Sequence, residues 1–443
     1  MNLRRPRLLD RDRLRRWWEE CALNNVFSLY GAYLVNYAVP LFTIPYLVRE
    51  LGASAWGLVA MAQGLGNYMN LVVEYGFGLS ATRELARHQD SPERVSELLA
   101  GVTGAKLILA VAAIGVALLV QNTVPALESQ RAVLWAGVIA GIALGLSPMW
   151  YFTGCERMHV IAAIEIVSKI AAAAGVFIFI HGPADAWRVP GLQAAASLFS
   201  TGLALALAYR ETRGFRITPQ AVLKALRQGW TMFLFRSSGM LYTSGNSFLL
   251  GLFAPPQIVG YFAGAEKIAK AFMGLLNPFN QALYPRLNRL LKTSPQQAVR
   301  LFRTNAVVVG AGGLLLGACV FFGAPLLVRI LLGRALEPAV PVLRWLAILP
   351  PLIGMNTVLS TQWMAPLNLD ATLNWIITGA GVLNVCLAFL LAPRYQQMGM
   401  AWAVICAELF IAFACGLVLY RHQTGGMRLA ASPLPIPDLE NPA

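Results

Sequence analysis

Residues 25–84 contain two apolar runs, 26–47 and 55–75, which a short connection separates. Each run is close to the roughly 20 residues that a helix needs to cross a bilayer. Prolines and glycines interrupt both runs, and membrane helices tolerate them where neighbouring helices or water satisfy the freed backbone groups. The segment therefore predicts a hairpin of two membrane-spanning helices.

The second of these runs carries a stripe of polar residues. Gln63, Asn67, Asn70 and Glu74 recur at helical spacing, which places all four on one face. A polar stripe on a membrane helix faces protein or water rather than lipid, because an unsatisfied polar group in hydrocarbon is costly. We expect the stripe to line a central cavity.

The whole chain has the composition of a polytopic membrane protein. Of its 443 residues, 57% are hydrophobic and 13% are charged. Twelve apolar runs can be counted, at about 26–47, 55–76, 99–121, 131–151, 160–181, 190–210, 230–253, 257–281, 305–325, 340–361, 371–392 and 399–420.

A weak internal repeat divides these runs into two sets of six. The Leu-Gly pair at 51–52 recurs at 250–251, and Trp150 has a counterpart in Trp363. Two such halves around a central cavity are a common transporter design. We expect an all-α polytopic fold with a basic cytoplasmic leader (1–23), an N-terminal six-helix half (24–210), a cytoplasmic linker (211–229), a pseudo-symmetric C-terminal half (230–420) and a disordered cytoplasmic tail (421–443).

The net charge of +14 is concentrated between the apolar runs. With the N-terminus inside, the inner segments hold 23 Lys and Arg residues and the outer segments hold seven. This bias predicts that both termini are cytoplasmic, and it makes nucleic acid an unsuitable partner. The sequence has no zinc-ligand spacing and no Walker-type phosphate loop, so we expect no cofactor. If the chain is a transporter, its energy would then have to come from an ion, voltage or substrate gradient.

Several segments together resemble Wzx-type polysaccharide flippases of the multidrug/oligosaccharidyl-lipid/polysaccharide (MOP) exporter superfamily. They are PLFTIPYLVRELGASAWGLVAMAQ, YGFGLSATRELAR, SPMWYFTGCERM, LYTSGNSFLLGLFAPPQIVGYFAGAEKIAKA and ALYPRLNRL. The resemblance covers about residues 24–420.

The resemblance implies a MATE-like fold and a transporter, not an enzyme, in the bacterial cytoplasmic membrane. Its substrate would be an oligosaccharide on undecaprenyl diphosphate, carried from the cytoplasmic to the periplasmic leaflet by alternating access. A polysaccharide polymerase and a chain-length regulator are the implied protein partners, and the chain would be embedded in the lipid bilayer.

Charged residues inside the apolar runs are candidates for the diphosphate and for gating. Arg236 lies about two turns into the seventh run, above a small polar face that includes Asn246. An arginine can bind two phosphate oxygens at once, although it can also snorkel to the interface. We expect substrate contacts from Arg236, Lys267, Lys106, Arg49, Asn67, Asn70 and Asn246.

The remaining intramembrane charges fit gating or ion coupling. Lys169 follows Glu165 by four residues, and Lys270 follows Glu266 by four residues, a spacing that suits an ion pair. Lys267 is then left without a partner on its own helix. Lys106 could snorkel or line the cavity, and Glu408 could be an ion site or a protonated packing residue. The gating set is Glu74 with Arg83, Glu165 with Lys169, Glu266 with Lys270, and Glu408.

Two other functional classes compete with this interpretation. Another MOP exporter could be a multidrug antiporter or a lipid II flippase; the excess of deep cations favours an anionic substrate and leaves lipid II open. A membrane glycosyltransferase or polymerase needs a large outer loop, and the longest one here is about 325–339.

The charge bias gives a topology prediction. In a background without the six native cysteines, a Cys introduced at Gly425 should react with a membrane-impermeant maleimide only after permeabilisation. Arg334→Cys, in a predicted outer connection, should react in intact cells. Labelling of the Gly425 variant in intact cells would place the C-terminus outside and contradict the predicted orientation.

Overall fold

A computed structural model describes residues 11–89, 91–212, 217–275, 287, 289–290 and 293–426. The predicted positions 1–10 of the leader, 276–281 of the eighth run and 427–443 of the tail lie outside this part. All secondary structure in the described residues is helical. The first helices are α1 (Arg11–Glu74), α2 (Phe77–Arg87), α3 (Pro92–Thr123), α4 (Pro125–Glu128), α5 (Arg131–Leu146), α6 (Met149–Gly154), α7 (Met158–Phe179) and α8 (Arg188–Glu211).

The second part of the chain continues the pattern. Its helices are α9 (Pro219–Thr243), α10 (Asn246–Gly251), α11 (Pro256–Gly274), α12 (Pro295–Leu331), α13 (Ala339–Leu346), α14 (Leu349–Thr357) and α15 (Asp370–Gly426), with a π-helical turn at Val358–Met364. Prolines occupy the first positions of α3, α9, α11 and α12, where the missing amide hydrogen costs nothing.

Two long helices each contain a break at the boundary between predicted runs. In α1 the break is at Gly52, whose φ of 72° is a left-handed conformation that glycine adopts without a steric penalty. In α15 it is at Gln396, with φ of 48°. The first two runs and the last two runs therefore form bent helical pairs.

Seven helical stretches in the described residues are long and apolar enough to cross a membrane. One of them, Asp370–Arg421, spans the break at Gln396 and holds the last two predicted runs. The runs that carry more polar groups lie on α1, on α9 with α10, and on α11. An all-helical polytopic membrane fold is thus confirmed, while the twelve crossings and the domain boundaries stay predictions.

The second segment of α1 packs closely against α11. A side chain at Gly57 would overlap the carbonyl oxygen of Pro256, and one at Gly260 would overlap that of Ala53. The two helices can approach so closely only because glycines lie at the crossing. This contact ties the N-terminal helices to the C-terminal ones next to the Gly52 break.

The crossing predicts a specific sensitivity to small substitutions. Gly57→Ala should lower the free energy of unfolding by about 1–3 kcal/mol, because the added methyl group has no space. Gly115→Ala, where a side chain meets no neighbouring atom, should be neutral or slightly stabilising, since alanine favours the helix. Thermal unfolding in detergent measures both, and equal midpoints would contradict the close packing.

Candidate functional site

A cavity of about 520 Å³ lies mostly among helices of the N-terminal part. Its walls come from both segments of α1 and from α5, α7 and α8. Among the described lining residues, Lys267 on α11 is the single contribution from the C-terminal part. The cavity was expected midway between two halves; instead, the first half encloses it and the second half supplies one cation.

Small residues make the cavity roomy. Its walls include Gly137, Ala140, Ala172, Ala173 and Ala196, whose side chains take little space. The polar groups that reach it are few: Thr43, Gln63, Asn67, Lys169, Gln193, Ser197 and Lys267. A few placed polar groups in a mostly apolar wall are typical of a ligand site.

Two of the four residues of the predicted polar stripe line the cavity. Gln63 and Asn67 line the cavity, where Gln63 donates a hydrogen bond to the Gln193 side chain at 3.2 Å. Asn67 donates to the Ser244 carbonyl oxygen at 3.3 Å. Asn70 and Glu74 are half-buried like Gln63 and Asn67, but they are not among the described lining residues.

Lys267 differs from the other charged groups of α11. Glu266 and Lys270 form the expected ion pair at 3.0 Å, so their charges cancel. In the part of the chain that the structure describes, no hydrogen bond or ion pair is found for Lys267, whose side chain is exposed to the cavity. On α7, Lys169 likewise pairs with Glu165 at 3.4 Å, as predicted.

Lys267 also borders a second cavity, which we call the crevice. The crevice has a volume of about 240 Å³ and is lined mainly by apolar residues such as Ile44, Phe272 and Leu331. Pro40 and Lys267 line both spaces. The side chain of Lys267 therefore lies where the cavity, with its few polar groups, meets the more apolar crevice.

Glu74 forms a contact between the two parts of the chain, which we call the inner junction. Its carboxylate accepts hydrogen bonds from the amides of Gly76, at 3.1 Å, and Gly78, at 2.7 Å. The same group pairs with Arg236 of α9, with Nε 3.3 Å from Oε2. A carboxylate is stabilised at the start of a helix, and here it caps α2 while it holds α9.

The inner junction corrects two predictions. Glu74 was expected to pair with Arg83, but Arg83 is exposed, and Arg236 occupies the position beside the carboxylate. Arg236 was expected in the cavity, and it is not among the described lining residues. Both differences arise because α9 packs across the end of α1, a contact between residues distant in sequence.

Aromatic side chains that the sequence analysis missed surround the inner junction. The rings of Tyr75 and Phe233 stack with centroids 4.7 Å apart and an interplanar angle of 16°. Trp230 lies against both rings. Trp230 and Phe233 lie in the middle of α9 and Tyr75 directly follows α1, so only the fold places them together.

Lys106 neither snorkels nor lines the cavity. It is 3% exposed, and its ammonium group donates to the carbonyl oxygens of Gly145 and Ser147, both at 2.8 Å. These carbonyls belong to the end of α5, where a cation is favoured. Lys106 therefore holds α3 to the end of α5, within electrostatic reach of Glu74 and Arg236.

The other predicted residues lie away from the cavity. Arg49 donates to the carbonyl oxygen of Ile330, in the last turn of α12. Asn246 is buried and donates to Glu266 at 3.2 Å. Glu408 is buried and accepts a hydrogen bond from Asn356 at 2.6 Å. Asn246, Glu266, Lys270 and Glu408 line a small cavity of about 50 Å³, which is too small for a sugar.

Comparison with known proteins gives related sequences and folds. The model of the family "Polysaccharide biosynthesis protein" matches residues 22–291. A relative from Escherichia coli (strain K12), named "Putative O-antigen transporter", is 31% identical over 87% of this chain and 94% of its own length. A relative of the same name from Shigella dysenteriae is 25% identical over 87% and 97%.

Solved structures share the fold at low sequence identity. One is the lipid II flippase MurJ in an inward closed conformation, with a TM-score of 0.68 and 11% identity, over 89% of this chain and 87% of that one. Another is a MOP superfamily transporter from Pyrococcus furiosus, with a TM-score of 0.53 and 15% identity, over 92% and 96%. The MOP-type fold that the resemblance implies is confirmed.

The inner junction predicts coupling between Glu74 and Arg236. Each single alanine variant should lower the thermal midpoint, and the double variant should lose less than the sum, because both changes remove one contact. Arg83→Ala is the control and should be additive with Glu74→Ala. Additivity of Glu74→Ala with Arg236→Ala would show that the ion pair contributes nothing to stability.

Proposed function

Since the chain belongs to the polysaccharide biosynthesis protein family, we propose that it moves polyprenyl-diphosphate-linked oligosaccharide repeat units across the bacterial cytoplasmic membrane. The direction is from the cytoplasmic to the periplasmic leaflet, for surface polysaccharide. The names of its relatives from E. coli and Shigella support a transporter of O-antigen chemistry.

The observation that carries this proposal is the position of Lys267. The proposed substrate has three parts in a fixed order: an apolar tail, an anionic diphosphate and a neutral, hydroxyl-rich sugar. The crevice is lined mainly by apolar residues, with Lys270 in its ion pair with Glu266 as the other charged residue. The shared border carries the ammonium group of Lys267, and the cavity has small walls with amides. The order of surfaces along these two spaces matches the order of groups in the substrate.

Electrostatics favours Lys267 as the diphosphate ligand over the other lysines of the region. An unpaired charge away from bulk water is strongly disfavoured unless an opposite charge joins it. Lys169 and Lys270 already have carboxylate partners at 3.4 and 3.0 Å. A bound diphosphate would neutralise Lys267 without breaking either pair.

Alternating access needs contacts between the halves that open and close. On the predicted topology, the inner junction closes the cytoplasmic end, and the α1–α11 crossing closes the outer end together with Arg49 and Ile330. A head group entering from the cytoplasm would part Glu74 from Arg236. Arg236 would then be available to the diphosphate during entry, and Lys267 would take over further along the path.

The pairs Glu165–Lys169 and Glu266–Lys270 and the buried Glu408 remain proposed gating or coupling groups. All three sites lie on helices that surround the cavities, so a change in their pairing would reach the walls directly. The identity of a coupling ion is a separate question from the substrate site.

Substitution of Lys267 tests the proposal. In a flippase-null strain, Lys267→Ala at matched protein levels should restore less than about a tenth of the surface polysaccharide, because the diphosphate would lose its cation. Lys267→Arg keeps the charge and should restore a larger part. Lys224→Ala, at an exposed lysine of α9, should restore all of it.

Two outcomes of this experiment would contradict the proposal. Full restoration by Lys267→Ala would remove Lys267 from substrate binding and with it the matching order of surfaces. Failure of the wild-type chain to restore polysaccharide in its own host's null strain would overturn the proposed function itself.

A further inference from the structure

Two glutamines meet in the wall of the cavity. Gln63 lies in the second segment of α1 and Gln193 lies in α8, and the Nε2 atom of Gln63 is 3.2 Å from Oε1 of Gln193. Both residues line the cavity, Gln63 half-buried and Gln193 exposed to it. The sequence analysis placed Gln63 in its stripe but missed Gln193, which is the one amide in the sixth apolar run.

The amide pair has unused hydrogen-bonding capacity. A glutamine side chain has two N–H donors and one carbonyl acceptor. Their mutual bond uses one donor of Gln63 and the carbonyl oxygen of Gln193. Within the described ranges, no protein partner is found for the carbonyl oxygen of Gln63 or for the amide group of Gln193. The pair thus has unused N–H donors on both glutamines and an unused acceptor, the carbonyl oxygen of Gln63, at the cavity.

The surroundings of the pair extend the same chemistry. Asn67 lies one turn from Gln63 on α1, and Ser197 lies one turn from Gln193 on α8; both line the cavity. These four groups are neutral, and Ala172 and Ala173 of α7 leave space beside them. Neutral groups that both donate and accept suit hydroxyl and N-acetyl groups, whereas an anion calls for a cation.

We propose that Gln63 and Gln193 form a sugar subsite, which binds the hydroxyl or N-acetyl groups of the sugar next to the diphosphate. The inference rests on the proposed function and adds the part of the substrate that these residues recognise. The direct bond between the two amides closes the subsite when it is empty, and a sugar group inserted between them replaces it with two new bonds. Since one amide is on α1 and the other on α8, the sugar would bridge these helices.

A binding experiment separates this subsite from the cation site. The full-length protein in nanodiscs is titrated with two probes: undecaprenyl diphosphate alone, and the undecaprenyl-diphosphate-linked repeat unit extracted from a flippase-null strain of the host. The wild-type protein should bind the sugar-bearing lipid more tightly. Gln63→Leu and Gln193→Leu should each reduce this preference by about tenfold, because hydrogen bonds to the sugar are lost.

Two controls define the remaining outcomes. Affinity for undecaprenyl diphosphate should stay within about twofold of wild type in both glutamine variants, and Gln228→Leu, on the exposed part of α9, should change neither affinity. Equal losses for both lipids, with a lower thermal midpoint, would identify the pair as a helix–helix tie and overturn the subsite. So would a wild-type protein that shows no preference. If neither lipid binds, the proposed function fails as well.

Discussion

A cation inside a membrane must be paired, hydrogen-bonded or hydrated, because desolvation of an isolated charge is prohibitively costly. Five Lys and Arg residues lie six or more residues inside the predicted runs of this chain. In the described part, four have protein partners: Lys106 with two carbonyl oxygens, Lys169 with Glu165, Lys270 with Glu266, and Arg236 with Glu74. Within the described residues Lys267 has no such partner and is exposed to the cavity, and its proposed role as the substrate-binding cation rests on that difference.

The four satisfied cations also explain how the cavity is held in shape. Lys106 fastens the end of α5 to α3, and the two i, i+4 pairs keep the charges of α7 and α11 neutral. Helix contacts in a membrane depend on small residues and polar links rather than on the hydrophobic effect. The glycine crossing of α1 with α11 and the inner junction supply both kinds of link, one on each side of the Gln63–Gln193 pair along α1.

The sequence predicted what depends on local spacing. The apolar runs coincide with helices or with helix pairs, and the ion pairs Glu165–Lys169 and Glu266–Lys270 formed as expected, because four residues bring side chains together on one turn. Contacts between residues that are far apart in the sequence were not predicted. The third to sixth runs lie between Glu74 and Arg236 in the sequence. The partners of Lys106 are backbone carbonyl groups, which no residue pattern identifies.

The different partners of Arg236 and Lys267 have a mechanistic consequence for the proposed function. Glu74 neutralises Arg236 while the inner junction is closed, so an arriving diphosphate must compete with a carboxylate that two backbone amides already orient. Those amides keep Glu74 satisfied after the arginine leaves, which lowers the cost of opening. Lys267 has no such competitor among the described residues, so on the proposed function a diphosphate would pass from a contested site at Arg236 to an uncontested one at Lys267. A preference of the diphosphate for Lys267 over Arg236 would then follow from the carboxylate that already pairs with Arg236, since the two side chains carry the same charge.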